Sequence, residues 1–204
     1  MKTSPFKLSR NSWISLAGVT LFIIASFMSI ASGVRADGKK NDAAAVPPKV
    51  GDAAPDFSLP YATQEKIFLK PEERMTLASM RGKNVILAFY PADWSGGCTK
   101  EVCTLRDTFA ELSKLNATVL AISGDYVFSH QEWAKFHKLQ FPLLSDHDHK
   151  VAKLYGSYNE EFGFNNRTIF LIDKNGVVRY SNLAFKAGDA NDYNKLKEEL
   201  AKLN

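Results

Sequence analysis

Hydrophobic and polar positions fall into blocks whose period changes along the chain. Val85–Tyr90 (VILAFY) is a short continuous apolar run, as expected of a strand buried on both faces, and Pro91 and the Gly96-Gly97 pair break it. Val102, Leu105, Phe109 and Leu112 then recur at helical spacing, which predicts one helix from about Gly97 to Lys114. Thr118–Ser123 reads as a second buried strand. Phe128–Leu139 reads as a second amphipathic helix, with Trp133 and Phe136 three apart. Phe141–Leu144 is a brief apolar segment, and Lys150–Tyr155 a short helix stopped by Gly156. Thr168–Ile172 is a further strand, turned at Asn175-Gly176 into an antiparallel partner, Val177–Tyr180. Asp189–Lys202 closes the pattern as a helix with Tyr193, Leu196, Leu200 and Leu203 on one face. The stretch Tyr61–Leu77 is the least regular and reads as a surface excursion with one weak hairpin. This order of elements predicts an α/β domain with a central mixed sheet, and right-handed crossovers place helices on both of its faces.

The front of the chain follows a different pattern. Lys2, Lys7 and Arg10 precede an uncharged stretch, Asn11 to Val34, whose centre is the apolar run Trp13–Ile30, and Val34-Arg35-Ala36 ends it with small residues at the two flanking places. That is the layout of a secretory signal peptide spanning residues 1–36, with an uncleaved N-terminal membrane anchor as the alternative. Either reading places the folded part outside the cytosol, as an exported protein that touches a membrane only if the segment is retained. Asp37–Lys49 is small, polar and Pro-bearing, hence a linker, and residues 50–204 form the domain.

Charge and composition narrow the function classes. Of the 26 basic residues, four lie in residues 1–36 (Lys2, Lys7, Arg10, Arg35), leaving 22 against 22 acids, so bulk charge gives no reason to expect a nucleic-acid partner. With 45% hydrophobic residues the domain can build a core without a disulfide scaffold, and two cysteines alone cannot furnish a four-ligand zinc site.

The densest chemistry lies in Tyr90–Asp107, YPADWSGGCTKEVCTLRD. Cys98 falls in the first turn of a helix, where unpaired N–H groups and the positive dipole end favour an anion and make a thiolate a nucleophile. Ser95, three residues earlier, is placed either to cap that helix or to aim its hydroxyl at whatever Cys98 attacks, and Pro91 to shield the sulfur and fix the loop. Cys103 is five residues on. In an ideal helix that is about 140° around the axis, with Cα atoms roughly 8–9 Å apart, whereas a disulfide needs about 7 Å or less. The bond therefore forms only if the turn unwinds, which suits a cycle between dithiol helix and disulfide loop better than a permanent staple.

These residues resemble the active-site pattern of the peroxiredoxin family. Pro91-x-x-x-Ser95-x-x-Cys98 matches its loop, and Gly97-Cys98-Thr99-x-Glu101-x-Cys103 is similar to the bacterioferritin-comigratory-protein (PrxQ) subgroup, whose second cysteine lies five residues after the first. Val50–Phe57 looks like the family's opening segment, and Arg167–Asp173 like the strand that carries its active-site arginine. The resemblance covers about Val50 to Asn204; the N-terminal segment and the extra residues around Gln64–Arg74 depart from it. It implies a thioredoxin-like fold and a thiol peroxidase acting on hydrogen peroxide and organic hydroperoxides. Cys98 would be the peroxidatic nucleophile and Cys103 the resolving thiol, with Ser95 and Arg167 holding the peroxide oxygens and Glu101 orienting the arginine. A thioredoxin-like or other dithiol protein would be the reductant, no metal or organic cofactor is implied, and a pair within one helix is compatible with a monomer.

Other residues carry weaker signals. Asp146-His147-Asp148-His149 has metal-ligand types, but successive side chains do not face one point, so a solvated helix-entry loop is expected. His130 and His137, seven apart on one helix face, read as a surface pair, and Trp94 either walls a substrate pocket or packs the loop. The rival functional reading is an exported thioredoxin-like copper-binding or thiol-disulfide protein using both cysteines and a histidine, although its usual cysteine spacing is one residue shorter.

Overall fold

A computed structural model describes residues 46–204. The expected signal segment, its anchor alternative and most of the linker lie outside the described residues. Among the described residues, no helix is long and apolar enough to cross a membrane.

Four two-residue strands come first: β1 (Ser58–Leu59), β2 (Tyr61–Ala62), β3 (Ile67–Phe68) and β4 (Met75–Thr76). The central strand β5 (Asn84–Phe89) leads to α1 (Gly96–Asp107) and α2 (Phe109–Lys114). Next come β6 (Ala117–Ser123), α3 (Val127–His137), β7 (Leu143–Ser145) and α4 (Lys150–Leu154). A small hairpin of β8 (Tyr158–Asn159) and β9 (Phe164–Asn165) precedes β10 (Thr168–Ile172), β11 (Val178–Asn182) and α5 (Ala190–Ala201).

Seven strands form one mixed sheet in the order β11-β10-β5-β6-β7-β2-β3. β5, β6 and β7 run parallel, as right-handed crossovers through α1–α2 and α3 require, while β10 lies antiparallel to β5 with Thr168 opposite Phe89. All residues of β5 and β10 are buried, so an alternation of side chains serves two cores rather than a core and a surface. Ile86, Ala88 and Tyr90 face one cluster, built with Val102 and Leu105 of α1, Leu112 of α2, Trp133 of α3 and Leu196 and Leu200 of α5. Val85, Leu87 and Phe89 face the other, closed by Val151 and Ala152 of α4, Tyr155 and the N-terminal residues Phe57 and Leu59. Helices cover both faces of a thioredoxin-like α/β fold, with only the short α4 on the second.

Several expectations need correction. The single helix expected from Gly97 to Lys114 is two, interrupted at Thr108, whose hydroxyl bonds back to the carbonyls of Thr104 (2.9 Å) and Leu105 (3.3 Å) and favours a bend there. The segment from Tyr61 onward is more than a surface excursion: β2 pairs with β7, Tyr61 opposite Leu144, and with β3 extends the main sheet. Helix α3 inverts the expected amphipathicity. Its buried stripe is Val127, His130, Trp133 and Ala134, while Phe128 and Phe136 are 62% and 72% exposed.

The Asp146–His149 loop is a helix entry, as expected, but its first residue is not solvated. Asp146 is fully buried, and its carboxylate accepts the N–H groups of Val151 (3.1 Å) and Ala152 (2.7 Å), which the five-residue α4 cannot pair internally. Asp146→Ala should therefore cost about 1–2 kcal/mol of stability, read as a lower denaturant midpoint with an unchanged slope; an unchanged midpoint would refute this capping role.

Candidate active site

The site is assembled where β5 ends and α1 begins. Tyr90 closes the strand with its N–H on the Ile122 carbonyl, and Pro91, partly buried, turns the chain into the loop. Ser95 is the N-cap of α1, its Oγ accepting the Cys98 N–H at 3.4 Å, so the cap reading of Ser95 is correct and its hydroxyl proton is still available to donate. Cys98 has no exposed surface and belongs to the apolar cluster with Tyr90, Val102 and Leu105. Its sulfur nevertheless has a charged neighbour.

That neighbour is Arg167, the residue before β10. Its Nη1 donates to Cys98 Sγ at 3.3 Å and to Glu101 Oε2 at 2.7 Å. The pairing of β10 with β5 sets this reach, since Thr168 lies opposite Phe89 and Arg167 projects past the strand end toward α1. Gly97 is what lets the guanidinium lie against the helix start: a Cβ there would stand 2.8 Å from Arg167 Nη2. Burial pulls the Arg167 charge down, but the Glu101 carboxylate and the Cys98 sulfur outweigh it and hold the cation more firmly than usual. Burial pushes the Glu101 carboxyl up to about 7, against the opposing pull of Arg167, and its second oxygen Oε1 is buried without a partner.

Cys103 does not join this cluster. It lies partly buried on the flank of α1, away from the Val102 and Leu105 stripe as the spacing implied, and both thiols are free. Its Sγ is 3.7 Å from His137 Nδ1, at the end of α3. The expected surface pair of histidines is thus incorrect. His137 is partly buried against Cys103, and His130 is fully buried.

Sequence reading missed the group that fixes the loop. Asp93 is buried, and its carboxylate accepts from Tyr90 Oη (2.8 Å), Ser129 Oγ (2.7 Å) and His130 Nδ1 (2.9 Å), while its own N–H donates to Asp125 Oδ2 (2.9 Å). His130 Nε2 lies 3.2 Å from the Leu144 carbonyl, so each ring nitrogen faces an oxygen. The signal available was the stripe Val127-His130-Ala134 on α3, which puts His130 on the inward face. Trp94 takes a left-handed backbone (φ 62°), costing on the order of 1 kcal/mol, and is held by its Nε1 donating to Ser129 Oγ at 3.1 Å. Its ring lies against Phe136 and His137, which supports the loop-packing reading over a pocket wall.

The sequence profile of the AhpC/TSA family matches residues 50–181, the stretch that contains every residue of this cluster. The chain belongs to the AhpC/TSA family. Within it, peroxiredoxin Q of Oryza sativa subsp. japonica, named chloroplastic, is 40% identical over 131 residues, covering 64% of this chain and 57% of that protein. The chain therefore spans little more than half the length of that relative. The putative peroxiredoxin bcp of Coxiella burnetii is 42% identical over 136 residues, covering 64% of this chain and 85% of that protein. Among solved structures, peroxidoxin BcpB from Mycobacterium tuberculosis superposes with a TM-score of 0.66 at 29% identity, covering 77% of this chain and 99% of that one. These AhpC/TSA relatives lend no support to the export expected from residues 1–36. The copper reading is not favoured either: among the described residues, no three His, Cys, Asp or Glu side chains are grouped to share a metal ion.

The Glu101 carboxyl gives the family site a pH signature. In the folded chain it keeps its proton up to about 7, whereas an unfolded glutamate releases it near 4.5. The folded state binds the extra proton in between, so this contribution is greatest below about 4.5 and is lost as pH rises to about 7. Unfolding free energies measured across that range should fall with pH by up to about 1.4 kcal/mol per unit, and Glu101→Gln should flatten the fall. An unchanged profile in that variant would place the titration elsewhere.

Proposed function

We propose that this chain is a thiol peroxidase that reduces hydrogen peroxide and organic hydroperoxides. The observation that carries the reading is the Arg167 guanidinium 3.3 Å from a cysteine sulfur at a capped helix start, with a second thiol in the same helix. The Cys98 thiolate attacks one peroxide oxygen, the O–O bond breaks, and the sulfur becomes a sulfenic acid while the second oxygen leaves, with a proton, as water or alcohol. Charge grows on that leaving oxygen. A guanidinium already in place needs no rearrangement to stabilise it, and Glu101 holds it there. The Ser95 hydroxyl, whose oxygen accepts from the helix, donates its proton toward a peroxide oxygen, and Pro91 screens the loop side of the sulfur.

The first turns of α1 then open, and Cys103 attacks the sulfenic sulfur. A disulfide forms and water is released. An external dithiol protein of thioredoxin type restores both thiols by exchange. Because the pair lies within one helix, the cycle is complete in a monomer, and the chemistry is carried by sulfur without a cofactor.

Stopped-flow oxidation and coupled turnover test this directly. Cys98→Ser should abolish peroxide consumption, and Cys103→Ser should spare the first turnover and stop recycling. Arg167→Ala should slow Cys98 oxidation by about 10²-fold or more. A change below about twofold, some ~0.4 kcal/mol, would rule out activation of the peroxide by Arg167.

A further inference from the structure

His137 stands outside the cluster just described, yet its ring is held at the second thiol by independent restraints. Helix α3 ends with Lys138 in a left-handed conformation (φ 52°), the Lys138 N–H returning to Lys135 and the Leu139 N–H to the Ala134 carbonyl. That ending leaves the His137 carbonyl outside the helix ladder, and Arg106 of α1 donates Nη1 to it at 2.8 Å. The imidazole stands edge-on to Trp133 and to Phe136, with centroids 5.7 Å and 4.9 Å away, which fixes its plane. In that plane Nδ1 faces Cys103 Sγ at 3.7 Å, a length normal for a hydrogen bond to sulfur.

We propose that His137 is the proton acceptor for Cys103 in the resolving step, an inference that rests on the peroxidase reading above. Nδ1 takes the Cys103 S–H proton, and the resulting thiolate attacks the sulfenic sulfur of Cys98. The S–S bond forms as the S–O bond breaks, and the departing hydroxide takes the proton from the imidazolium to leave as water. Atoms and charge balance, and the histidine returns to its neutral form. The Arg106 clasp gives the step its geometry. It ties the C-terminal half of α1 to α3, so opening of the helix start brings Cys98 to a Cys103 that stays beside its base.

The charge environment agrees with this role. Burial, and then the Arg106 guanidinium, lower the His137 ring below its ordinary value, which keeps Nδ1 unprotonated and able to accept at neutral pH. The charged or titratable groups that reach the ring from the packed element are Cys103 and Arg106, both of α1; its other neighbours are aromatic rings.

The test is alkylation of Cys103 by iodoacetamide in the full chain carrying Cys98→Ser, where Cys103 is the single thiol, followed by mass spectrometry across about pH 5 to pH 9.5. A thiol without a base reacts only as it ionises on its own, near pH 8.5. With His137 present, the rate should already be high at about pH 7 and drop in a step below about pH 6.5, where the imidazolium can no longer accept. Adding His137→Asn, which keeps an acceptor near the Nδ1 position without its basicity, should slow the reaction about tenfold or more at about pH 7 and restore agreement within about twofold at about pH 9.5. A rate within about twofold at neutral pH, or an equal deficit at both pH values, would overturn the proposal. If the His137→Asn protein does not fold, the pH profile of the Cys98→Ser chain alone decides, since absence of the acidic step also refutes it. No peroxide enters this assay, so it fails or succeeds apart from the peroxidase reading.

Discussion

Arg167 brings a full charge to within 3.3 Å of a sulfur that has no exposed surface. A cation so placed is costly unless a carboxylate shares it, and Glu101, itself almost wholly buried, is the carboxylate. Much of the local architecture serves this triple contact. The antiparallel β5–β10 register delivers the arginine, the turn after β5 delivers the helix start, and a glycine at position 97 leaves room between them. The unpaired Glu101 oxygen shows that the arrangement is not optimised for stability: a polar atom is buried without a partner at the one place where a charge must be held against a sulfur.

A second polar group performs the complementary task of holding the loop. Asp93 gathers Tyr90, Ser129 and His130 around one carboxylate, linking the end of β5 to α3, and through His130 to β7. A network of this kind is stabilising only when every member is satisfied, and here the carboxylate is, with each histidine nitrogen facing an oxygen. The consequence is a reactive loop fixed at its base, leaving the helix after it as the part free to change shape.

The parts of this fold legible from sequence were those whose pattern repeats. Val85–Tyr90 and Thr168–Ile172 are apolar at every position because both faces of the strands are covered, and that signal survives any change of context. The two-residue strands were not legible, since a period of two cannot be seen in two residues; β2 joins the main sheet by pairing with β7 and β3 by pairing with β2, while β8 and β9 pair only with each other, in a separate hairpin. Composition misled at α3, where a buried histidine and exposed phenylalanines reverse the ordinary rule because Asp93 supplies a partner from a distant loop. At the site, Ser95, Cys98 and Glu101 were visible as spacing along one helix, and Arg167 through its place before a strand. His137 and Asp93 were not, because their significance lies in contacts across 34 to 37 residues of chain.

The interruption at Thr108 does not by itself set how far disorder can travel. The Thr104 carbonyl takes both the Thr108 N–H (3.1 Å) and the Thr108 hydroxyl (2.9 Å), and the Thr108 carbonyl in turn takes the Leu112 N–H (3.1 Å), so backbone bonds still cross the junction where α1 and α2 meet. A helix that opens from its first turn is therefore stopped within α1, where Arg106 holds the His137 carbonyl at 2.8 Å, rather than at its end. Leu105 of α1 and Leu112 of α2 both sit in the core, beyond the turn that has to open.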